Sequence, residues 1–226
     1  MTTQPTIRDL LFSRSPYDGF DSEAHPADMQ GWGSDHPILP RVIERLRPKR
    51  ILEIGSWKGR SAINMAKVVK ALDLDCEIVC VDTWLGSPEH WLRVEGGWYE
   101  SLRIEHGYPH LYWTFLSNVV REGVQDVITP FPSTSENACL VLKRLGVTFD
   151  FCYLDAAHEY EPVKRDLDAV WDLIAEPGVL VGDDYGTWPD VTRAVNEFAE
   201  ERGLSGVGEH GKFIISKGTI DPPITL

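Results

Sequence analysis

Short apolar runs alternate along this chain with longer segments in which apolar positions recur at helical spacing. This alternation is typical of βαβ units, in which helices cover both faces of a mainly parallel sheet. The pattern predicts five strands, at residues 50–54, 77–81, 127–131, 149–154 and 178–182. It predicts four helices, at residues 60–72, 135–145, 161–174 and 191–202.

The tail of the chain follows a different pattern. Residues 204–216 contain two short strand-like runs around Glu209, His210 and Gly211, a triplet that favours a turn. This pattern predicts an antiparallel hairpin that closes the sheet. No Pro-, Gly- or Ser-rich linker divides the 226 residues, so we expect one domain, 1–226, of the α/β class. We expect a doubly wound, mainly parallel, seven-stranded sheet with a C-terminal antiparallel hairpin.

Two segments do not fit the alternation. Residues 1–45 are rich in Pro, Asp, Gly and His, and include Gly31, Trp32 and His36. They have two alternative roles, as a cap over a site or as a brace against the first helix. Residues 84–115 contain four tryptophans, three tyrosines and one phenylalanine. This density predicts a lid insertion, with the interface of a homo-oligomer as the alternative because aromatic residues also concentrate there.

Charge and cysteine content narrow the function. Lys and Arg number 22 against 35 Asp and Glu, which gives a formal net charge of -13. Such a charge repels nucleic-acid phosphates and anionic membranes, so neither is an expected partner. The four cysteines have no CxxC spacing and are expected to be buried thiols in a reducing compartment. Residues 1–20 lack the pattern of a secretion signal, and no apolar run has the length of a membrane span, so we expect a cytoplasmic protein.

The strongest chemical signal is the segment ILEIGSWKGRSAINMA, which places a strand, a glycine turn and a helix in succession. Gly55 and Gly59 allow the backbone to approach a ligand closely, and the first helical amides face such a ligand. The alternative is a tight turn without a ligand. The spacing is neither G-x-G-x-x-G nor that of a phosphate loop, which disfavours nicotinamide and triphosphate ligands.

Two acidic residues indicate the kind of ligand. Glu53, just before the turn, would repel a pyrophosphate but suits a cofactor that carries an ammonium and a sulfonium. Asp82 ends the second strand, where a carboxylate can accept hydrogen bonds from both hydroxyls of a ribose. The two acids together favour a nucleoside with positive charge.

The order E-x-G-x-x-x-G, followed by an acid at the end of the next strand, resembles the class I S-adenosylmethionine-dependent methyltransferases. The similarity is greatest to the catechol O-methyltransferase-like group and to bacterial sugar and macrolide O-methyltransferases, and it runs from residue 51 to residue 185. The resemblance implies a Rossmann-like fold, S-adenosylmethionine as cofactor, and Asp82 as the ribose ligand. A Rossmann-like domain for another ligand is the alternative.

The resemblance also implies roles for other residues. Gly55 and Trp57 would shape the pocket for the methionine part of the cofactor, and Ser61 would bind its carboxylate. Ser133 and Ser135, in FPSTSENA, would approach the adenine. For these two serines the alternative is an N-cap of the following helix.

Three acids end the fourth and fifth strands. Asp155, Asp183 and Asp184 are expected to meet at the edge of the sheet where ligands bind. Three uncompensated carboxylates repel one another unless a cation lies between them. A divalent ion with oxygen ligands, such as Mg²⁺, would remove this repulsion and would lower the pKa of an acceptor hydroxyl. Metal-dependent members of the resembled group keep acids at both strand ends, and the alternative is three acids with structural roles.

A general base is expected beside these acids. His158 lies where catechol O-methyltransferases carry a lysine, and histidine titrates near neutral pH. Its alternative role is a cap of the following helix, and Asp155 is the second candidate for the base.

The acceptor is expected to be a small hydroxylated molecule. We expect an acceptor wall from the lid segment, formed by Trp84, His90, Trp91 and Trp98. Aromatic walls stack on a sugar face or on a phenol ring, so a sugar or natural product and a phenolic compound both remain candidates. The predicted function is a magnesium-dependent O-methyltransferase. The alternatives are a metal-independent methyltransferase and a noncatalytic, cofactor-binding interaction module.

Overall fold

The sheet has seven strands in the order β3-β2-β1-β4-β5-β7-β6. The computed structural model describes residues 5–204, 207–209 and 211–226. Strands β1 to β5 are parallel, and β7 pairs antiparallel with both β5 and β6. The predicted fold class is therefore confirmed. The strands are β1 (Arg50–Ile54), β2 (Glu77–Asp82), β3 (Ile128–Pro132), β4 (Phe149–Leu154), β5 (Ile174–Tyr185), β6 (Gly208–Glu209) and β7 (Gly211–Lys217).

Helices cover both faces of this sheet and connect its parallel strands. Two short 3₁₀ turns add to them, at Ser22–Ala24 and Tyr99–Leu102. No described helix is long and apolar enough to cross a membrane. The helices are α1 (Ile7–Leu11), α2 (Ile38–Leu46), α3 (Arg60–Ala71), α4 (Pro88–Trp91), α5 (Leu111–Arg121), α6 (Ser135–Arg144), α7 (Tyr160–Trp171) and α8 (Pro189–Glu200).

Two hydrophobic cores lie on the two faces of the sheet. Strand β1 contributes Leu52 and Ile54 to the core that contains α6, α7 and α8. It contributes Ile51 to the core that contains α2, α3 and α5. Both faces of the central strands are thus buried, which explains why they read as continuous apolar runs rather than as alternating ones.

The sequence pattern missed four helices: α1, α2, α4 and α5. Helix α5 occupies the end of the aromatic segment, where the run LYWTFLSNVVR is rich in aromatic and β-branched residues that have little intrinsic preference for helix. Leu111, Phe115 and Val119 are buried in the second core, so tertiary packing stabilises this helix. The predicted hairpin is present as β6 and β7, although His210 in its turn lies outside the described residues.

All four cysteines are free thiols in the structure. Cys80, Cys139 and Cys152 are buried, as expected from the apolar runs around them, whereas Cys76 is only half-buried.

Candidate functional site

A cavity of about 460 Å³ opens at the carboxyl ends of β1, β2 and β4. This is the edge of a doubly wound sheet at which ligands bind, and the volume lies within the range of small-molecule sites. Nine of the residues predicted from the sequence line it: Gly55, Trp57, Ser61, Asp82, His90, Ser133, Ser135, Asp155 and His158.

Both glycines of the first turn are required by close packing. Gly55 has a φ of +84°, and a Cβ on it would lie 1.8 Å from the carbonyl oxygen of Asp155. Gly59 has a φ of +86°, and its Cβ would lie 2.8 Å from the ring of Phe115. The turn therefore brings the ends of β1 and β4 together. Ser61, in the first turn of α3, lines the cavity, and the first amides of a helix have no intrahelical acceptors.

Asp82 holds two turns together beneath the cavity. Its Oδ2 accepts hydrogen bonds from the backbone amides of Ser56 (2.9 Å) and Trp57 (2.8 Å), and its Oδ1 accepts one from the amide of Trp84 (2.7 Å). Trp57 and Trp84 have φ values of +48° and +51°, which large L-residues rarely adopt. The Asp82 carboxylate thus stabilises two strained turns, although burial still raises its pKa above the usual value.

Glu53 lies behind the cavity rather than in its wall. It is fully buried, and its two carboxylate oxygens accept hydrogen bonds of 2.6 Å from the hydroxyls of Ser56 and Ser61. Burial raises the pKa of Glu53 to about 7. Because Ser56 and Ser61 themselves line the cavity, Glu53 faces a ligand only through these two hydroxyls.

The predicted carboxylate cluster contains its own cation. The hydroxyl of Tyr153 lies 3.3 Å from Asp155 Oδ2 and 3.2 Å from Asp183 Oδ2. Lys212 Nζ lies 2.5 Å from Asp183 Oδ2 and donates a hydrogen bond of 2.8 Å to Tyr153 Oη. Burial, followed by the negative charge of Asp183, raises the pKa of Asp155 well above its usual range. Within residues 5–204, 207–209 and 211–226, no set of three or more His, Cys, Asp or Glu side chains forms a candidate metal site.

The third acid pairs with the histidine. His158 Nε2 lies 3.1 Å from Asp184 Oδ2, and His158 Nδ1 lies 3.5 Å from Glu89 Oε1. The imidazole also stacks on Trp188, with the ring centroids 4.4 Å apart and the planes 4° apart. The hydrogen bond to Asp184 raises the pKa of His158, against the opposing effect of burial. Asp183 and Asp184 do not line the main cavity. The carboxylate of Asp183 contacts Lys212, and that of Asp184 contacts His158.

The expected acceptor wall is only partly present. His90 lines the cavity and packs against Trp57, with ring centroids 4.4 Å apart. Trp84 does not line it, because its indole is 1% exposed and its Nε1 donates to the carbonyl oxygen of Trp57. Trp91 and Trp98 are each 42% exposed and lie outside the lining.

The N-terminal segment forms part of the cavity wall. Gln30, Trp32 and Ser34 line the cavity. The segment is held by Lys58, whose buried Nζ lies 2.6 Å from Asp28 Oδ2. Gln30 Oε1 also accepts a hydrogen bond of 2.8 Å from the indole of Trp57. Lys58 was not among the predicted site residues, because the sequence pattern of a lysine within a glycine turn is typical of an exposed residue.

The far end of the cavity lies at the start of α6. Thr134 is the N-cap of this helix, so neither Ser133 nor Ser135 has that role. Ser135 donates a hydrogen bond of 2.5 Å to Asp166, an acid on α7 that also lines the cavity. Burial raises the pKa of Asp166 to about 6. Asp166 was not among the predicted site residues either, because a single acid on a helix is typical of a solvent-exposed position.

A family model described as a methyltransferase domain matches residues 52–185, which include the glycine turn, Asp82 and the acids of β4 and β5. The chain belongs to this family. One curated relative, the uncharacterized protein y4gI of Sinorhizobium fredii, is 23% identical over 164 residues. The match covers 70% of this chain and only 16% of that relative, so the chain spans about one sixth of the relative's length.

Solved structures share the fold at low sequence identity. The O-methyltransferase NovP has a TM-score of 0.58 at 18% identity, with 80% of this chain and 78% of that chain covered. The O-methyltransferase TomG of Streptomyces achromogenes, in complex with SAM, has a TM-score of 0.57 at 18% identity, with 94% of each chain covered. An O-methyltransferase of Bacillus cereus, in complex with SAH, has a TM-score of 0.56 at 16% identity, with 93% of this chain and 95% of that chain covered.

Proposed function

We propose that this protein transfers a methyl group from S-adenosylmethionine to a hydroxyl of a small molecule. The observation that carries the proposal is the cavity at the carboxyl ends of β1, β2 and β4, which brings the glycine turn, Asp82 and the His158 region to one space. Membership of the methyltransferase family supports the reaction class. The SAM and SAH complexes of the two related O-methyltransferase structures support the choice of cofactor.

The donors and acceptors of the cavity fit a cationic nucleoside. The Asp82 Oδ1 atom accepts one amide hydrogen bond, which leaves a lone pair for a ribose hydroxyl. Ser61 donates its only hydroxyl proton to Glu53, so its Oγ offers lone pairs to the ligand. This arrangement suits the ammonium of a methionine group better than its carboxylate. The first amides of α3 and the Arg60 side chain remain as partners for that carboxylate.

The cofactor, when bound, supplies an electrophilic methyl group, and the electron pair of its C–S bond returns to sulfur. Residues of the chain then have to orient the acceptor and take its hydroxyl proton. His158 fits the proton-accepting role because it lines the cavity and is oriented by Asp184 and Trp188. Its raised pKa means that its neutral form, the form that accepts a proton, predominates only above pH 6.5. Asp155 is the second candidate for the base.

The shape of the acceptor end favours a planar or flat-faced compound. Trp32, Trp57 and His90 form an aromatic wall with ring centroids 4.4 to 6.4 Å apart. Such a wall stacks on a phenol or on one face of a sugar. The involvement of TomG in tomaymycin synthesis supports a natural product or one of its sugars as the acceptor.

The residues expected to hold Mg²⁺ do not fit a bound divalent ion as they are arranged. Asp183 is paired with the ammonium of Lys212, and Asp184 is paired with His158. A metal ion would have to displace both partners against the positive charge of Lys212. These contacts support the metal-independent alternative, and magnesium dependence remains a prediction.

The proposal is tested by turnover of methyl-labelled S-adenosylmethionine with a panel of phenols and sugars, with Mg²⁺ or with EDTA. We expect labelled product from at least one hydroxylated acceptor. Calorimetric binding of the cofactor without transfer to any acceptor would favour the noncatalytic interaction module. Absence of cofactor binding would refute the proposal. Loss of activity in EDTA, restored by Mg²⁺, would confirm the magnesium-dependent form.

A further inference from the structure

We propose that Lys212 is a built-in cation that occupies the position of a divalent metal in the carboxylate cluster of β4 and β5. The cluster consists of Asp155, Tyr153 and Asp183, linked through the tyrosine hydroxyl. Lys212 completes it with an ammonium that contacts both Asp183 and Tyr153. Any role of Lys212 in catalysis rests on the proposed function, whereas the test below measures metal binding and does not depend on that function.

The position of Lys212 is set by the backbone. Lys212 on β7 and Asp183 on β5 are direct partners in the antiparallel ladder. Side chains opposite each other in such a ladder lie on the same face, with Cβ atoms about 5 Å apart. The two opposite charges therefore meet because of the strand register, and no loop movement is needed to bring them together.

Burial of the pair makes the ammonium hard to replace. Lys212 is 2% exposed, and its Nζ has an acid and a hydroxyl within 2.8 Å. A lysine at such depth is found almost only where it is paired. The positive charge that was expected from a bound Mg²⁺ ion is thus supplied by the side chain of Lys212.

The N-terminal segment closes the space beside this pair. Gly33 has a φ of +54°, and a Cβ on it would lie 2.8 Å from Asp183 Oδ2 and 3.0 Å from Lys212 Nζ. The backbone therefore packs directly against the ion pair. An octahedral magnesium ion that keeps several waters needs room on this side, and the structure fills it with protein.

Lys212 does not line the cavity, so it acts through its neighbours and is a positioning residue. Its ammonium donates to the Tyr153 hydroxyl, which lies beside Asp155, the acid that does line the cavity. We infer that Lys212 fixes the orientation of Asp155 and offsets the repulsion between Asp155 and Asp183. A metal ion would perform the same two tasks.

The test is a titration with Mn²⁺, followed by electron paramagnetic resonance of the free ion, in the absence of cofactor and acceptor. The wild-type chain is compared with Lys212→Ala, which removes the charge and vacates the space that the ammonium fills. The matched control is the double variant Asp183→Asn with Lys212→Ala, which vacates the same space and also removes one ligand. Thermal unfolding followed by circular dichroism establishes that each variant is folded.

We expect no saturable Mn²⁺ binding to the wild type below about 1 mM, the weak end of protein sites for hard divalent ions. We expect Lys212→Ala to bind one Mn²⁺ at least about tenfold more tightly, because a like charge at short range has been removed and its space is open to the ion. The double variant should not bind, since one of the ligands is lost.

Two results would overturn the inference. The first is stoichiometric Mn²⁺ binding to the wild type that is lost in Asp183→Asn, which shows that the metal displaces the lysine. The second is a folded Lys212→Ala that gains no affinity, which shows that the lysine does not fill a cation position. If Lys212→Ala does not fold, the wild-type titration alone decides. Failure of the proposed methyl transfer would leave these outcomes unchanged, so the two hypotheses fail separately.

Discussion

Replacement of the buried Glu53 by glutamine should change how stability depends on pH. Burial raises the pKa of Glu53 from 4.5 to about 7 in the folded protein. The folded chain therefore holds this proton more tightly than the unfolded chain does, and the free energy of unfolding falls as pH rises between these two values. The difference between 4.5 and about 7 corresponds to a loss of about 3 kcal/mol.

Glutamine keeps the shape of the side chain and can still bond to Ser56 and Ser61, but it does not ionise. We expect Glu53→Gln and the wild type to have similar stability near pH 4. The variant should become more stable than the wild type, by up to about 3 kcal/mol, as pH approaches 8. The assay is urea unfolding followed by the fluorescence of the eight tryptophans, repeated at intervals of pH.

Glu200→Gln is the control, because it removes an exposed carboxylate from the surface of α8. Any general effect of one fewer negative charge will appear in both variants and can be subtracted. Parallel stability curves for Glu53→Gln and the wild type would exclude a raised pKa for Glu53 in the folded protein. They would mean that the two serine hydrogen bonds fully offset the cost of burying the carboxylate.

Three further predictions follow from the site. Gly55→Ala should destabilise the fold by about 1 to 3 kcal/mol more than Gly19→Ala. Both glycines have a positive φ, but of the two only Gly55 has a backbone atom where the added Cβ would lie, so equal losses of unfolding free energy in urea would contradict this packing. Asp82→Ala should destabilise the fold and weaken cofactor binding, each by about 1 to 3 kcal/mol. Unchanged cofactor affinity in calorimetry would place the ribose elsewhere. If His158 is the base, the methyl-transfer rate should rise with pH through a midpoint above 6.5, since the hydrogen bond to Asp184 raises the pKa of His158. His158→Ala should remove or shift this rise in the pH–rate profile, and an identical profile in the variant would exclude that role.

The parts of the fold that could be predicted from the sequence are those in which buried side chains produce a regular pattern of apolar residues. The five parallel strands are apolar runs, and the glycine turn directly follows the first of them. Helix α5 was missed because its aromatic and β-branched residues have no preference for helix on their own. The packing of Phe115 against Gly59 and within the second core stabilises that segment as a helix.

The candidate site was predicted less completely, because its partners lie far apart in the chain. The acids at the ends of β4 and β5 are visible in the sequence, but their cation, Lys212, lies 29 residues after Asp183 and meets it only through strand register. Asp82 likewise reads as a ribose ligand, whereas its three backbone hydrogen bonds are visible only in the fold. In both cases the sequence shows the acidic residue but not the group that pairs with its carboxylate.

We propose that the cavity beside the glycine turn binds S-adenosylmethionine. Titration calorimetry with S-adenosylhomocysteine, which cannot react, tests it without knowledge of the acceptor. We predict saturable binding of one molecule per wild-type chain, weakened at least about fivefold in Asp82→Ala, the lower limit for one lost buried hydrogen bond. No saturable heat from a folded wild-type chain would contradict the account.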